Sequence, residues 1–402
     1  MPSALTWLDF SEHERRKALD VIDLFREKDT RDELGVGIVR DALSDLLFPG
    51  TSTIQTRARY FLFIPWIYRA LEKQKVAARD AARFARREEI RLIEALTDAG
   101  ETEGVIGIEA REGLKRLPSN VYWQGLAAWG IRTLDVSLSE YHRFFAAFAA
   151  RATQNREAED EGDRQGNGRL VWHHALPDAP EQFPSKCVLA LRKVDAEYLR
   201  ERILLRQPGT LLAYIVDRVA SPSACDFPWK HPQKASFPER NRVELEHARK
   251  YALVMHGARL IYNLLLAEKS GKKDSIERFN DELDAWAGEV EAERPELLQW
   301  DRNAFWALVL GVNRGVGLRT RGFVDAWLNI VLSQPANALK RFAQARTLVG
   351  DRERRLKGGL SRLENARALE LWGGESGAYR DSYRWFKVQT IVNDIVKGLR
   401  SA

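Results

Sequence analysis

Six apolar residues near the carboxyl terminus, Val388, Ile391, Val392, Ile395, Val396 and Leu399, recur at the i, i+3, i+4, i+7 spacing of one helix face. A strand would alternate every second residue, so this stripe commits the segment to helix and to a neighbour that covers it. The same kind of signal recurs through the chain. Ser11 and Glu14 form a capping box ahead of Ala18, Ile22 and Phe25. Gly35 and Gly37 precede a helix expected from Val39 to Phe48, stopped by Pro49-Gly50. After the cap cluster Thr51-Ser52-Thr53, a helix is expected from Thr56 to Lys75, bent near Pro65, and another from Ala77 to Ala99. Asn120 to Ile131, Ser139 to Arg151, Ala196 to Arg206, Thr210 to Val219 and Arg240 to Lys269 read the same way. The fold class is mainly α and multi-helical: two helical lobes with an irregular, proline-rich middle.

At 402 residues the chain exceeds one ordinary hydrophobic core. Residues 153–169 hold almost nothing to bury and are expected to form an exposed loop or linker. This places a helical domain at 1–152, an irregular segment with one helical pair at 170–239, and a basic helical domain at 240–402. The apolar run Tyr60 to Tyr68 is flanked by Arg57, Arg59 and Arg69 and spans nine residues. A bilayer needs about twenty, so the run reads as a buried helix and no membrane partner is expected. The amino terminus has neither a basic nor an apolar leader region, and the two cysteines, Cys187 and Cys225, suit a reducing compartment. A cytoplasmic location is the expectation.

Charge is unevenly placed. Residues 302–402 carry 18 Lys and Arg against 8 Asp and Glu, whereas the whole chain has a net charge of +6. Aromatic residues lie among these cations. Arg319, Arg321, Arg352, Arg355, Arg380, Arg384 and Lys387 are the candidates for contacting nucleic-acid phosphates, with Phe323 and Trp385 as stacking candidates. The competing reading is that these cations form a solvated face or pair with the acidic remainder of the chain.

Other chemistries find little footing. Phe48-Pro49-Gly50-Thr51-Ser52-Thr53 lacks the Gly-Lys-Ser/Thr of a nucleotide loop, and helix capping explains its hydroxyls. His173, His174, Cys187, Cys225 and His231 lack the short paired spacings of a zinc site. No His-x-Lys occurs, and a restriction-type site needs strands that so helical a chain does not offer. Neither a metal nor a cofactor is expected.

The opening Ser3-Ala4-Leu5-Thr6-Trp7-Leu8-Asp9-Phe10-Ser11-Glu12, the block Asp29 to Gly35, and above all the block from Phe48 through Gln55-Thr56-Arg57-Ala58-Arg59-Tyr60 to Pro65-Trp66 resemble a bacterial family of unknown function. The resemblance extends through most of the chain. It implies a neighbourhood of helicases and nuclease-like proteins in antiphage defence loci, and it carries no reaction. Its polar residues Arg31, Asp32, Gln55, Arg57 and Arg59 read either as an arginine-rich functional pocket or as buried ion pairs that set the packing of the first helices. The leading functional expectation is a non-catalytic accessory subunit that binds nucleic acid or a helicase or nuclease-like partner through its basic end. A nucleic-acid or nucleotide hydrolase with a site between the lobes is one alternative, and a purely protein-binding scaffold is another.

Overall fold

A computed structural model describes residues 32–160, 170–218 and 222–401, with the side chains of 155–160 left aside. Fifteen α-helices and no strand occur among them. In chain order the first six are α1 (Gly37–Leu47), α2 (Tyr60–Lys73), α3 (Ala78–Asp98), α4 (Pro118–Ala128), α5 (Leu138–Arg143) and α6 (Phe145–Asp160). Next come α7 (Lys193–Arg206), α8 (Leu211–Arg218), α9 (Glu239–Ser270), α10 (Lys273–Leu298) and α11 (Arg302–Val312). The last four are α12 (Leu318–Ser333), α13 (Ala343–Lys357), α14 (Ala366–Glu370) and α15 (Trp385–Leu399). No described helix is long and apolar enough to cross a membrane. The helix expected around Ser11 and Glu14 lies outside the described residues.

Two differences from the sequence reading have local causes. The helix expected from Ser139 to Arg151 is interrupted at Phe144, which closes α5 by donating its amide to Glu140 O. The charged stretch expected to loop from 153 stays helical to Asp160, and 161–169 lie outside the described residues.

The described chain divides into two units, neither continuous: 32–42 with 247–381, and 43–246 with 382–401. The divisions fall inside α1 and α9 rather than at the loop near 160 or at residue 240.

The 43–246 unit is built around α2, whose residues from Tyr60 to Tyr68 are all buried. Burial on every side explains why this run shows no polar face in sequence. Phe61 stacks on Trp129 at 3.8 Å, and Tyr60 on Tyr122 at 5.3 Å. Buried Glu72 accepts from the Tyr141 hydroxyl at 2.6 Å and the Trp172 indole at 3.2 Å, so its charge does not stand alone in the core. The stripe of α15 is buried in this unit from Val388 to Val396, as the periodicity requires, with Leu399 half-buried at its end.

In the 247–381 unit, α9 passes so close to α10 that a Cβ on Gly257 would fall 2.2 Å from the Trp286 ring. The Trp286 and Trp327 indoles donate to Leu253 O and Val254 O, both at 2.8 Å. The irregular segment after α14 is held through its own backbone by side chains. Lys272 donates to Trp372 O (3.0 Å), Arg278 to Gly374 O (2.8 Å) and Arg259 to Tyr379 O (3.0 Å). Buried Arg259 also pairs with Asp381 at 2.7 Å.

Candidate nucleic-acid interface

The joint between α11 and α12 runs Asn313-Arg314-Gly315-Val316-Gly317. Gly317 caps α12 without a side-chain acceptor, and the amides of Thr320 and Arg321 return to its carbonyl at 3.1 Å. The amides of Leu318 and Arg319 therefore have no carbonyl to reach within the helix, which leaves an electropositive end facing outward. Leu318 is 78% exposed, and Arg314 and Arg319 are exposed with no carboxylate at ion-pair distance among the described residues.

Arg352 ties the end of α13 to this place. Its guanidinium donates to Arg319 O (3.3 Å), Thr320 Oγ1 (2.9 Å) and Leu34 O (2.8 Å), and lies 5.2 Å from the Phe323 ring centre. Burial lowers its pKa, and the charge of Arg355 adds to the effect. Arg355, one turn on, has 81% of its side chain exposed, and its acidic neighbour Asp351 stands 3.9 Å away. Arg321 is half-buried, with its guanidinium 5.6 Å from the Trp306 ring centre. Arg314, Arg319 and Arg355 are the cations left facing solvent here.

The remaining candidates are placed otherwise. Phe323 and Trp385 are core residues, 5% and 1% exposed, so neither can stack on a base. The Trp385 indole donates to Cys225 O at 2.9 Å. Arg352 is spent on internal carbonyls, in the second half of α13. Arg380 pairs with Glu289 at 2.6 Å. Arg384 pairs with Asp45 at 2.6 Å and donates to Thr51 O at 2.8 Å. Pairing with the acidic remainder of the chain describes these two. Lys387, in the 43–246 unit with Arg384, lies 5.1 Å from the centre of the exposed Phe386 ring.

The motif block folds as a clasp within the 43–246 unit. Gln55 accepts from the Ser52 amide (3.1 Å) and donates to Gly50 O (3.2 Å). Arg57 makes a two-pronged bond to Asp394 of α15 at 2.9 and 2.8 Å, and the Ala58 amide donates to the same carboxylate at 3.0 Å. Arg59 donates to Val188 O (3.1 Å) and Ala190 O and faces buried Asp195 at 3.4 Å. Asp32 belongs to the other unit, where it accepts from the amides of Val36 (2.9 Å) and Gly37 (2.6 Å) at the start of α1. Arg31 lies outside the described residues. Within the 43–246 unit the arrangement is that of ion pairs and caps, while Asp32 lines a small cavity with Glu33, Arg259 and Tyr262 in the other unit. A family model covers residues 2–397, that of a family of unknown function, DUF6361. The chain belongs to this family. No curated protein and no solved structure matches it.

In this DUF6361 chain the histidine and carboxylate groups have defined local duties. His231 Nδ1 accepts the Gln233 amide at 3.1 Å, which leaves the ring proton on Nε2, 3.1 Å from Ser223 Oγ. The imidazole thus donates to the serine and cannot act as its base in this tautomer. A cleft of about 650 Å³ in the 247–381 unit is lined by Asp284, Glu291, Arg294 and Gln334 among others. Bonds from Arg294 and the Ala336 amide hold Glu291 at about 2, too acidic to carry a proton near neutrality. No group of three His, Cys, Asp or Glu residues is arranged to hold a metal ion among the described residues. Sequence reasoning passed over a row of exposed cations, Arg79, Arg83, Arg87 and Arg91 on α3. Its signal was the plain four-residue spacing.

Proposed function

We propose that this chain is a non-catalytic binding subunit that grips nucleic-acid phosphates, and that it serves a bacterial defence or DNA-processing system alongside a helicase or nuclease-like partner. The observation that carries the binding reading is the joint of α11 and α12. There Arg314 and Arg319 face solvent with no carboxylate at ion-pair distance among the described residues, beside the uncapped start of α12. Phosphate suits such a place, because exposed amides at a helix start and arginine forks both match its oxygens. The contacts would be to the backbone, so affinity would be salt-dependent and nearly blind to base sequence. The defence setting and the partner rest on the family resemblance alone.

Fluorescence anisotropy with a labelled DNA strand and duplex, at several salt concentrations, tests the reading. The double variant R319E/R355E is expected to bind about tenfold more weakly, with a salt dependence shallower by about one unit per lost contact and an unchanged helical circular-dichroism signal. A parent chain without salt-sensitive affinity for nucleic acid would overturn it. Exposed Leu318, Leu356 and Leu360, at 78, 46 and 74%, favour a second reading, a protein-binding scaffold, which would show partner binding that salt does not weaken.

A further inference from the structure

On α3, Arg79, Arg83, Arg87 and Arg91 follow one another at four-residue intervals, each about 6 Å further along the axis and about 40° further round it, so neighbours share a side while the row winds through about 120°. Their side chains are 89, 75, 57 and 49% exposed. The row is built from two copies of one small device. Asp80 lies between Arg79 at 3.6 Å and Arg83 at 2.9 Å, and Glu88 lies between Arg87 at 3.0 Å and Arg91 at 2.8 Å. Each carboxylate is the more buried partner, 30 and 12% exposed, and each is shared by two guanidinium groups. One acid for two arginines leaves both copies with surplus positive charge on the outside.

The surroundings extend that charge. Phe84 stands between Arg83 and Arg87, whose guanidinium carbons lie 5.1 and 4.5 Å from its ring centre. Arg86 donates to Leu114 O (2.9 Å) and Glu112 O (2.5 Å), which fixes beside α3 a turn whose exposed cations Arg111, Lys115 and Arg116 outnumber its exposed acids Glu109 and Glu112. Lys73 and Lys75, both exposed, precede the helix, and Ala77 caps it without a side-chain acceptor. A helix start favours Asp and Glu, because its own dipole is positive there. Lys73 suits the negative end of α2, and Asp80 meets the positive start of α3, so the cations here add outward positive charge without opposing either helix.

We propose that this arginine row is a second track for the phosphate backbone of a nucleic-acid strand, lying in the 43–246 unit. The four-residue step is comparable to the spacing of neighbouring phosphates, and arginine forks can engage phosphate oxygens two at a time. Asp80 and Glu88 hold the forks in a row, which reduces the ordering cost on binding. The inference rests on the nucleic-acid reading above but uses different residues, so the two separate by experiment.

The test is anisotropy of labelled DNA, single strand and duplex, against the full chain at several salt concentrations. R83E/R87E is expected to weaken binding about tenfold or more and to flatten the salt dependence by about two units. R79K/R83K/R87K/R91K should keep most of the salt dependence, since the charges remain. Thermal melting of both variants checks that the fold is intact, and R83Q/R87Q replaces the glutamate variant if that one fails to fold. Unchanged affinity and slope in a folded R83E/R87E or R83Q/R87Q overturns the track even where R319E/R355E weakens binding. Loss in the α3 variants with none in R319E/R355E upholds the track and removes the α12 site. Absence of salt-sensitive DNA binding by the parent, or binding of anionic lipid vesicles in its place, overturns the track.

Discussion

Asp394 is 6% exposed and receives two bonds from Arg57 and one from the Ala58 amide, so one carboxylate on the last helix satisfies the start of α2. Removing it leaves a half-buried guanidinium without its counter-charge. D394A is expected to lower stability by about 3 kcal/mol in urea unfolding, near the lower end for breaking a buried pair because Arg57 keeps some contact with water. Glu89 is a different case: no cation pairs with it at close range among the described residues, and Ser119 supplies both its amide (2.8 Å) and its hydroxyl (2.7 Å) at the first turn of α4. Burial, opposed by those two bonds, lifts the Glu89 carboxyl from 4.5 to about 7. A folded-state value above the unfolded one means that the stabilising effect of the bound proton is complete below about pH 4.5 and is lost as pH rises through about 7. The loss should be on the order of 3 kcal/mol across that window. Urea titrations from pH 4 to 8 should show the decline in the parent and a flatter profile in E89Q.

At the scale of elements, α15 and α7 meet at a place with no room for a methyl group. A Cβ on Gly398 would fall 2.8 Å from both Ala196 Cβ and Leu191 Cβ. Gly to Ala inside a helix ordinarily gains about 0.5–1 kcal/mol, whereas overpacking costs about 1–3. The second effect wins here, so G398A should lower the melting temperature rather than raise it. Much at this scale was legible in the sequence. The stripe of α15 extends three residues back to Trp385, and Phe323 shares its face with Trp327 and Val331, so the burial that removes both as stacking residues was written in the periodicity. What periodicity cannot supply is the partner of a polar side chain. Arg57 and Asp394 are 337 residues apart, and Arg380 and Glu289 are 91 apart, so neither pair leaves a local trace. The arginine row on α3 was hidden for another reason: acids cancel its charge in any residue count, and their inward placement is a structural fact.

For the whole molecule, counting charge along the chain suggests a basic domain at 240–402, yet the structure assigns 32–42 to the unit that contains 247–381 and gives 382–401 to the other. The amino-terminal piece supplies buried acceptors to the rest of the unit. Glu33 meets Arg362 at 2.7 Å and also pairs with Lys357, Leu34 O and Gly35 O take Arg352, and Val36 O takes the Tyr251 hydroxyl at 3.2 Å. A fragment of residues 240–402 would therefore take from Arg352 its acceptors Leu34 O and Gly35 O, and from Arg362 its counter-charge Glu33, though the two are only 9 and 6% exposed in the chain. It would also leave the stripe of α15 without its cover. Each defect costs several kcal/mol by itself, which is a large part of what keeps any domain folded. The 240–402 fragment is expected to show no cooperative thermal transition and to bind a dye that reports exposed apolar surface. A permuted chain that joins 247–381 through a Gly/Ser linker to 32–46 restores Glu33 and the carbonyls that follow it, and should regain a cooperative transition. Cooperative melting of 240–402 alone would show that the discontinuous unit is not a folding unit.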